Sequence, residues 1–184
     1  MLKDLKNKFI IGIDPGRNGG ICGLTNGKIN IIDKMPPNPA DMWGYFIDDL
    51  GVPMIISQNR KENIHVFIED VHSMPTDGVK SAFTFGRGLG WFDMLFARFD
   101  IHPERILPRD WQSSYGLHRD NTGEESKYNY KKRILAFAKD VVPKDQEKNI
   151  TLATCDAFLI ALYGFNQLKE KSQSNGKKKP NENN

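Results

Sequence analysis

Cysteine is nearly absent: Cys22 and Cys155 are the only two in 184 residues. Two are too few for a disulfide framework and they show no metal-ligand spacing, so both are expected as small core residues in a reducing compartment. Long apolar runs are missing as well. No stretch approaches the roughly 20 residues that cross a bilayer, and the opening MLKDLKNKF lacks the apolar core of a secretory leader. These absences predict a cytosolic protein with no membrane partner. An excess of charge of one sign is also lacking, once its location is considered. The formal net charge is +3, and the segment from Lys169 to Asn184 carries five Lys against two Glu, which accounts for all of it. The remaining body is neutral, so overall basicity says nothing about its surface. The segment 169–184 has almost no apolar residue and is expected to be a disordered basic tail, making at most weak, salt-sensitive phosphate contacts. Residues 1–168 are then expected to form one domain, with enough chain for a sizeable core.

What is present is organised around FIIGIDPGRNGG, from Phe9 to Gly20. Phe9, Ile10, Ile11 and Ile13 surround the small Gly12 and predict a short strand covered on both faces. Asp14 is the first charge after them. Pro15 cannot donate to a sheet ladder and Gly16 tolerates positive φ, so the strand should end with Asp14 at its open carboxyl end. A hairpin turn with a capping Asp is the plainer reading of the same residues.

GGICGLT and KINIIDK follow as two β-rich runs joined by Asn26-Gly27, a strong short hairpin signal. Three antiparallel strands should therefore open the fold. After MPPNPA, Asn38 or Asp41 is placed to cap a helix over Met42, Trp43, Tyr45, Phe46 and Leu50. IHVFIED reads as another buried strand, ending on Glu69 and Asp70. The segment Val79 to Phe99 predicts a long helix despite Gly86, Gly88 and Gly90, each costing about 1 kcal/mol against Ala, which asks for a close-packed neighbour or a break there. RILP reads as a short strand and the turn after it carries Trp111, expected in the core. KYNYKKRILAFAKDVV predicts a helix with Tyr130, Ile134, Leu135, Phe137 and Ala138 inward and Lys131, Lys132 and Arg133 outward. TLATCDAFLIALYGF predicts an apolar helix, from about Thr154 to Phe165, with Asp156 as its single charge.

Three acids stand out by position: Asp14 and Glu69 at strand ends, and Asp156 in the first turn of an apolar helix. Neighbouring strand ends share one edge of a sheet, and a terminal helix packed across that edge would add the third. An unpaired carboxylate in apolar surroundings costs several kcal/mol, so Asp156 is either a helix N-terminal acid or a metal ligand. Clustered carboxylates repel unless cations sit among them, and hard oxygen donors suit Mg²⁺ or Mn²⁺. Two such ions about 3.5–4 Å apart are the usual means of hydrolysing a phosphodiester.

In order and spacing these segments resemble the RuvC-like Holliday junction resolvases of the ribonuclease H superfamily, in particular the phage and poxvirus branch. IIGIDPGRNGGICGL resembles the first strand and hairpin with the catalytic Asp, here Asp14. VFIEDVHSMPTDGVKSAFTFGRGLG resembles the strand ending in the catalytic Glu, here Glu69, with its loop and helix. LPRDWQ and KYNYKKRILAFAKDVVP resemble the intervening segments, and TCDAFLIALYG the terminal helix with the last catalytic Asp, here Asp156. The resemblance implies an α/β fold of ribonuclease H type: a five-stranded mixed sheet, three strands antiparallel and the last two parallel, flanked by helices. It further implies a homodimer acting on branched, four-way DNA, a Mg²⁺-dependent endodeoxyribonuclease with two ions per active site bridged by Asp14 and held by Glu69 and Asp156, and no nucleotide cofactor. The helix Val79 to Phe99 is the expected dimer interface. His72 and Met74 are candidates to probe the junction centre, and Lys127, Lys131 and Lys132 to contact phosphates. In one respect the chain departs from the pattern. Many family members place a fourth ligand one turn before the last Asp, where this chain has Ala153, which leaves coordination to the three carboxylates and water, or to Asp70, Asp145 or Glu147 as substitutes. A catalytically weak junction-binding protein, a nuclease acting on RNA–DNA hybrids or flaps, and an actin-like ATPase, whose first strand is similar to GIDPG, are the alternatives.

Overall fold

The computed structural model describes residues 5, 7–57, 61–71, 78–119 and 125–177. Five strands form one sheet: β1 (Phe9–Asp14), β2 (Gly20–Thr25), β3 (Lys28–Lys34), β4 (Ile64–Glu69) and β5 (Glu104–Ile106), in the order β3-β2-β1-β4-β5. β1, β2 and β3 pair antiparallel, and β4 and β5 join β1 in parallel. The Asn26-Gly27 turn has φ of 55° and 75°, the conformation that matches strand twist in a two-residue hairpin.

Helices cover both faces. On one side lie α1 (Pro39–Gly44), continued by a wider turn over Tyr45–Asp49, α2 (Val52–Ser57) and α3 (Val79–Phe99). Asn38 caps α1, its side chain accepting from the Asp41 amide at 3.0 Å. On the other side lie α4 (Pro108–Ser114), α5 (Lys127–Val141) and α6 (Cys155–Lys177). The two-residue alternation of the strands divides the core accordingly. Ile10, Cys22, Leu24, Phe67 and Ile106 pack with Trp111, Ile134, Cys155 and the run Ala157 to Ala161. Phe9, Ile11, Ile13, Val66 and Ile68 pack with Phe46, Phe92, Leu95 and Phe96.

Two expectations are corrected. The helix expected to end near Phe165 continues to Lys177, so residues 169–177 are helical rather than disordered; once nucleated by its buried first half, an α-helix adds polar residues at little cost per residue. α3 is unbroken across Gly86, Gly88 and Gly90. A β-carbon added at any of the three would meet nothing within 4 Å, so among the described residues no close-packed neighbour lies there. Among the described residues no helix is long and apolar enough to cross a membrane.

Candidate active site

The register that ends with Ile13 beside Ile68 sets Asp14 level with Glu69 on adjacent parallel strands. Both lie in the same alternation as Ile10 and Phe67, on the α6 side of the sheet. α6 reaches them because β1 carries glycine where the helix crosses. A β-carbon at Gly12 would stand inside contact distance of backbone atoms of Ala157 and Ala161. The start of α6 is held by Thr154, whose hydroxyl accepts from the Thr151 amide at 2.9 Å and donates to the Asn149 carbonyl at 3.0 Å. Asp156 thus enters the edge on a fixed first turn.

Each acid is constrained differently. Asp14 Oδ1 accepts the Gly16 amide at 3.1 Å, and the turn closes over it because Gly19 has no side chain: a β-carbon there would run into the Asp14 carboxyl group. Glu69 is 8% exposed, and with Thr154 it makes up the buried polar set among the described residues. The indole Nε1 of Trp111 donates to its Oε1 at 2.8 Å. Asp156 Oδ2 bonds the Lys131 ammonium, reaching across from α5. Lys131, expected on the outer face of its helix, therefore points into the acidic edge.

The electrostatics report the same convergence. Burial, then the charge of Asp156, raises the proton affinity of Asp14 above the ordinary carboxylate range, against Lys131 and the Gly16 amide. Burial and the neighbouring Asp14 push Glu69 up to about 8, although the Trp111 hydrogen bond pulls the other way. Burial would lower Lys131, but the charge and hydrogen bond of Asp156 outweigh it and hold the ammonium above its usual value. Asp156 raises Asp14, and both raise Glu69, so the three carboxylates are near enough to feel one another's charge.

A cleft of about 490 Å³ opens onto the site, lined among others by Asp14, Arg17, Asn18, Lys131 and Ala153. The donor set suits a hard divalent cation: each carboxylate keeps an oxygen that no N–H group or ammonium contacts among the described residues, Asp14 Oδ2, Glu69 Oε2 and Asp156 Oδ1, the last with only a weak thiol contact from Cys155 at 3.4 Å. As placed, no three His, Cys, Asp or Glu side chains among the described residues surround a common ion position, and the positive charge among the acids is Lys131.

Other candidates fall elsewhere. Lys127 and Lys132 are exposed on α5, with the Lys132 ammonium 4.4 Å from the Tyr128 ring centre. His72 and Met74 lie outside the described residues. Asp145 and Glu147 flank Gln146, whose amide bonds both backbone groups of Ile29 at 3.1 and 2.7 Å. Ile29 pairs with Leu24 at the far end of the strands from Asp14, so neither acid replaces the ligand missing at Ala153. Asp70 follows Glu69 directly and faces Arg105 at 4.0 Å. Sequence reasoning missed Trp111 as the holder of Glu69 and Arg17 as a cleft residue. An indole so close to a strand-end acid in the fold leaves no local pattern, whereas Arg17 stands in the same turn as Asp14 and was open to notice.

No protein-family model matches the chain, and no curated protein is similar to it in sequence. Its fold is similar to that of Thermus thermophilus RuvC. The RuvC structure in complex with a Holliday junction substrate superposes with a TM-score of 0.53 at 13% identity, covering 88% of this chain and 96% of that one. A second Thermus thermophilus RuvC structure gives 0.52 at 15% identity, with 89% and 96% covered. The sheet order, the mixed strand directions and the flanking helices are those of this ribonuclease H-like fold.

Proposed function

We propose that this chain is a metal-dependent nuclease that resolves four-way DNA junctions by paired nicks, acting in the cytosol as a homodimer. The observation that carries the reading is the meeting of Asp14, Glu69 and Asp156 at one sheet edge, in the fold of a protein whose solved structure holds a Holliday junction. Asp14, Glu69 and Asp156 are the residues that would hold Mg²⁺ or Mn²⁺. Such an ion would supply Lewis-acid activation of water and offset charge building on the phosphate.

The chain's own residues do the rest. Trp111 fixes Glu69 by donating to one of its oxygens. The Gly16 amide and the missing Gly19 side chain fix Asp14 in the same way. Water oxygen bonds to phosphorus, the bond from phosphorus to the 3′ oxygen breaks, and that oxygen leaves with a proton, giving 5′-phosphate and 3′-hydroxyl ends. Lys127 and Lys132 contact the DNA backbone from α5, and His72 and Met74, which follow Glu69 closely in the chain, probe the junction centre. Two-fold symmetry places a second site on the opposing strand. The exposed apolar start of α3, with Val79 at 87% and Phe83 at 69% exposure, supports that helix as the interface.

Incubation of the full chain with labelled four-way junction, flap, hybrid and linear duplex, with and without Mg²⁺, tests this. Cutting is expected on the junction with metal only, and Asp14→Asn is expected to lose at least about 10³-fold. Undiminished cutting by that variant would sink the reading. The ion pair that Lys131 already makes with Asp156 favours one second reading, a junction-binding protein with weak catalysis. Tight junction binding without nicking at saturating Mn²⁺ selects it.

A further inference from the structure

The turn that follows β1 is pinned on both sides of Arg17. The Gly19 amide donates to the Gly16 carbonyl at 2.8 Å, and the Met35 amide to the Gly19 carbonyl at 3.0 Å. The Gly16 amide is bonded to Asp14 itself. Arg17 and Asn18 are therefore the two central residues of a closed four-residue turn, both exposed and both in the lining of the cleft. Three residues of chain can separate Asp14 from Arg17 by at most about 11 Å, and a turn shortens that span. One strand of nucleic acid lying in the cleft reaches both.

The two cations of the cleft lining are in different states. Lys131 is bonded to Asp156, and its charge lowers the proton affinity of Asp14 and Glu69. Arg17 pairs with no carboxylate among the described residues, and it is absent from the charges that act on those two acids. A guanidinium with no carboxylate to hold presents a planar fork of N–H donors, the shape that matches two oxygens of one phosphate. The lining also contains Leu152 and Ala153, whose side chains offer only apolar groups, and Leu152 is exposed. Such a cleft suits a sugar–phosphate unit, whose deoxyribose carbons are apolar and whose phosphate is charged.

We propose that Arg17 positions the substrate: its guanidinium takes the phosphate next to the scissile one on the strand being cut, with the sugar between them against Leu152 and Ala153. This rests on the nuclease reading and names the residue that holds the cut strand in register with Asp14.

Binding in the absence of divalent metal tests it separately from cutting. The anisotropy of a labelled four-way junction is followed on titration with the full chain at a series of salt concentrations, for the native protein, Arg17→Ala, Arg17→Lys and Lys144→Ala. Lys144, paired with Glu147 at 3.6 Å away from the cleft, is the control for loss of one positive charge. Arg17→Ala should bind about 10-fold more weakly, with the slope of log affinity against log salt reduced by about 1. Arg17→Lys should keep the slope and lose less affinity, and Lys144→Ala should stay near native. The same titrations use junctions in which successive phosphates around the branch are replaced, one at a time, by neutral methylphosphonate. One replacement should weaken native binding about 10-fold and leave Arg17→Ala unaffected, because the two changes remove the same contact. Circular dichroism melts check that each variant folds. Native affinity and slope in Arg17→Ala, an equal loss in Lys144→Ala, or a native protein indifferent to every replacement overturns the proposal. The two readings fail separately: cutting of the junction with Mg²⁺ but no effect at Arg17 defeats this inference alone, and the Arg17 effects without any cutting defeat the nuclease reading alone.

Discussion

α3 and α6 are the two long helices of the molecule, 21 and 23 residues, lying on opposite faces of the same sheet. They use glycine in opposite ways. Against α6 the glycine is on the strand, and Gly12 brings helix backbone and strand backbone into contact. In α3 the glycines are on the helix, and Gly86, Gly88 and Gly90 face open space. α6 buries Cys155 and Ala157 through Ala161 completely or nearly so, whereas among its described residues α3 buries Phe92, Leu95 and Phe96 near its end and leaves Val79 and Phe83 exposed. The close contact carries Asp156 to within interaction distance of Asp14 and Glu69. The start of α3 leaves Val79 and Phe83 exposed among the described residues.

The sharpest way to break this comparison is to fill the α6 contact. Gly12→Val should unfold the chain or cost more than about 3 kcal/mol, because backbone on both sides cannot yield, and thermal melts would show it. A native-like melting temperature would mean that α6 is not held against β1 as described.

Next in size is the support of Glu69. Trp111→Phe keeps the ring but leaves the buried carboxylate without its donor, at a cost of about 1–3 kcal/mol. Since that hydrogen bond lowers the proton affinity of Glu69, its loss should move the alkaline rise of the junction-cutting profile to higher pH and reduce kcat roughly 10-fold. An unshifted pH profile would leave Trp111 with packing alone.

Glu69 also makes stability pH-dependent. Its pKa in the fold, about 8, exceeds the ordinary value of 4.5, so the folded state holds its proton more tightly than the unfolded chain does. Stability without metal should therefore be greatest below about pH 4.5, fall as pH rises toward 8, and level off above. Glu69→Gln should remove this slope, and denaturant melts across pH for the two chains check it.

The smallest effects are expected on α3. Gly88→Ala should stabilise the dilute chain by up to about 1 kcal/mol, through helix propensity alone. Phe83→Glu should leave the melting temperature of dilute protein within a degree or two and abolish self-association in sedimentation at micromolar concentration. A dimer that survives Phe83→Glu moves the interface off this helix.

Much of the site was legible. The strand FIIGID, the Asn26-Gly27 hairpin and the acid closing IHVFIED all follow from local rules about alternation, turn geometry and the first charge after an apolar run. The orientation of Lys131 was not legible, because a helix face is read from its average polarity and a single long side chain can reach across to a buried acid. Nor was the reach of α6 past Phe165, since its polar second half lacks an apolar stripe and is extended from a nucleus that tertiary packing made.

By itself the sequence determined which strands exist, that their carboxyl ends carry Asp14 and Glu69, and that an apolar helix carries Asp156. Those are properties of neighbours in the chain, set by side-chain sterics and the period of burial. Only the tertiary structure decided that Trp111 holds Glu69, that Gly12 admits α6, and that Lys131 enters the acidic edge at Asp156. Each of these joins residues 25 or more positions apart, and such a meeting is specified by the packing of the whole domain around one sheet.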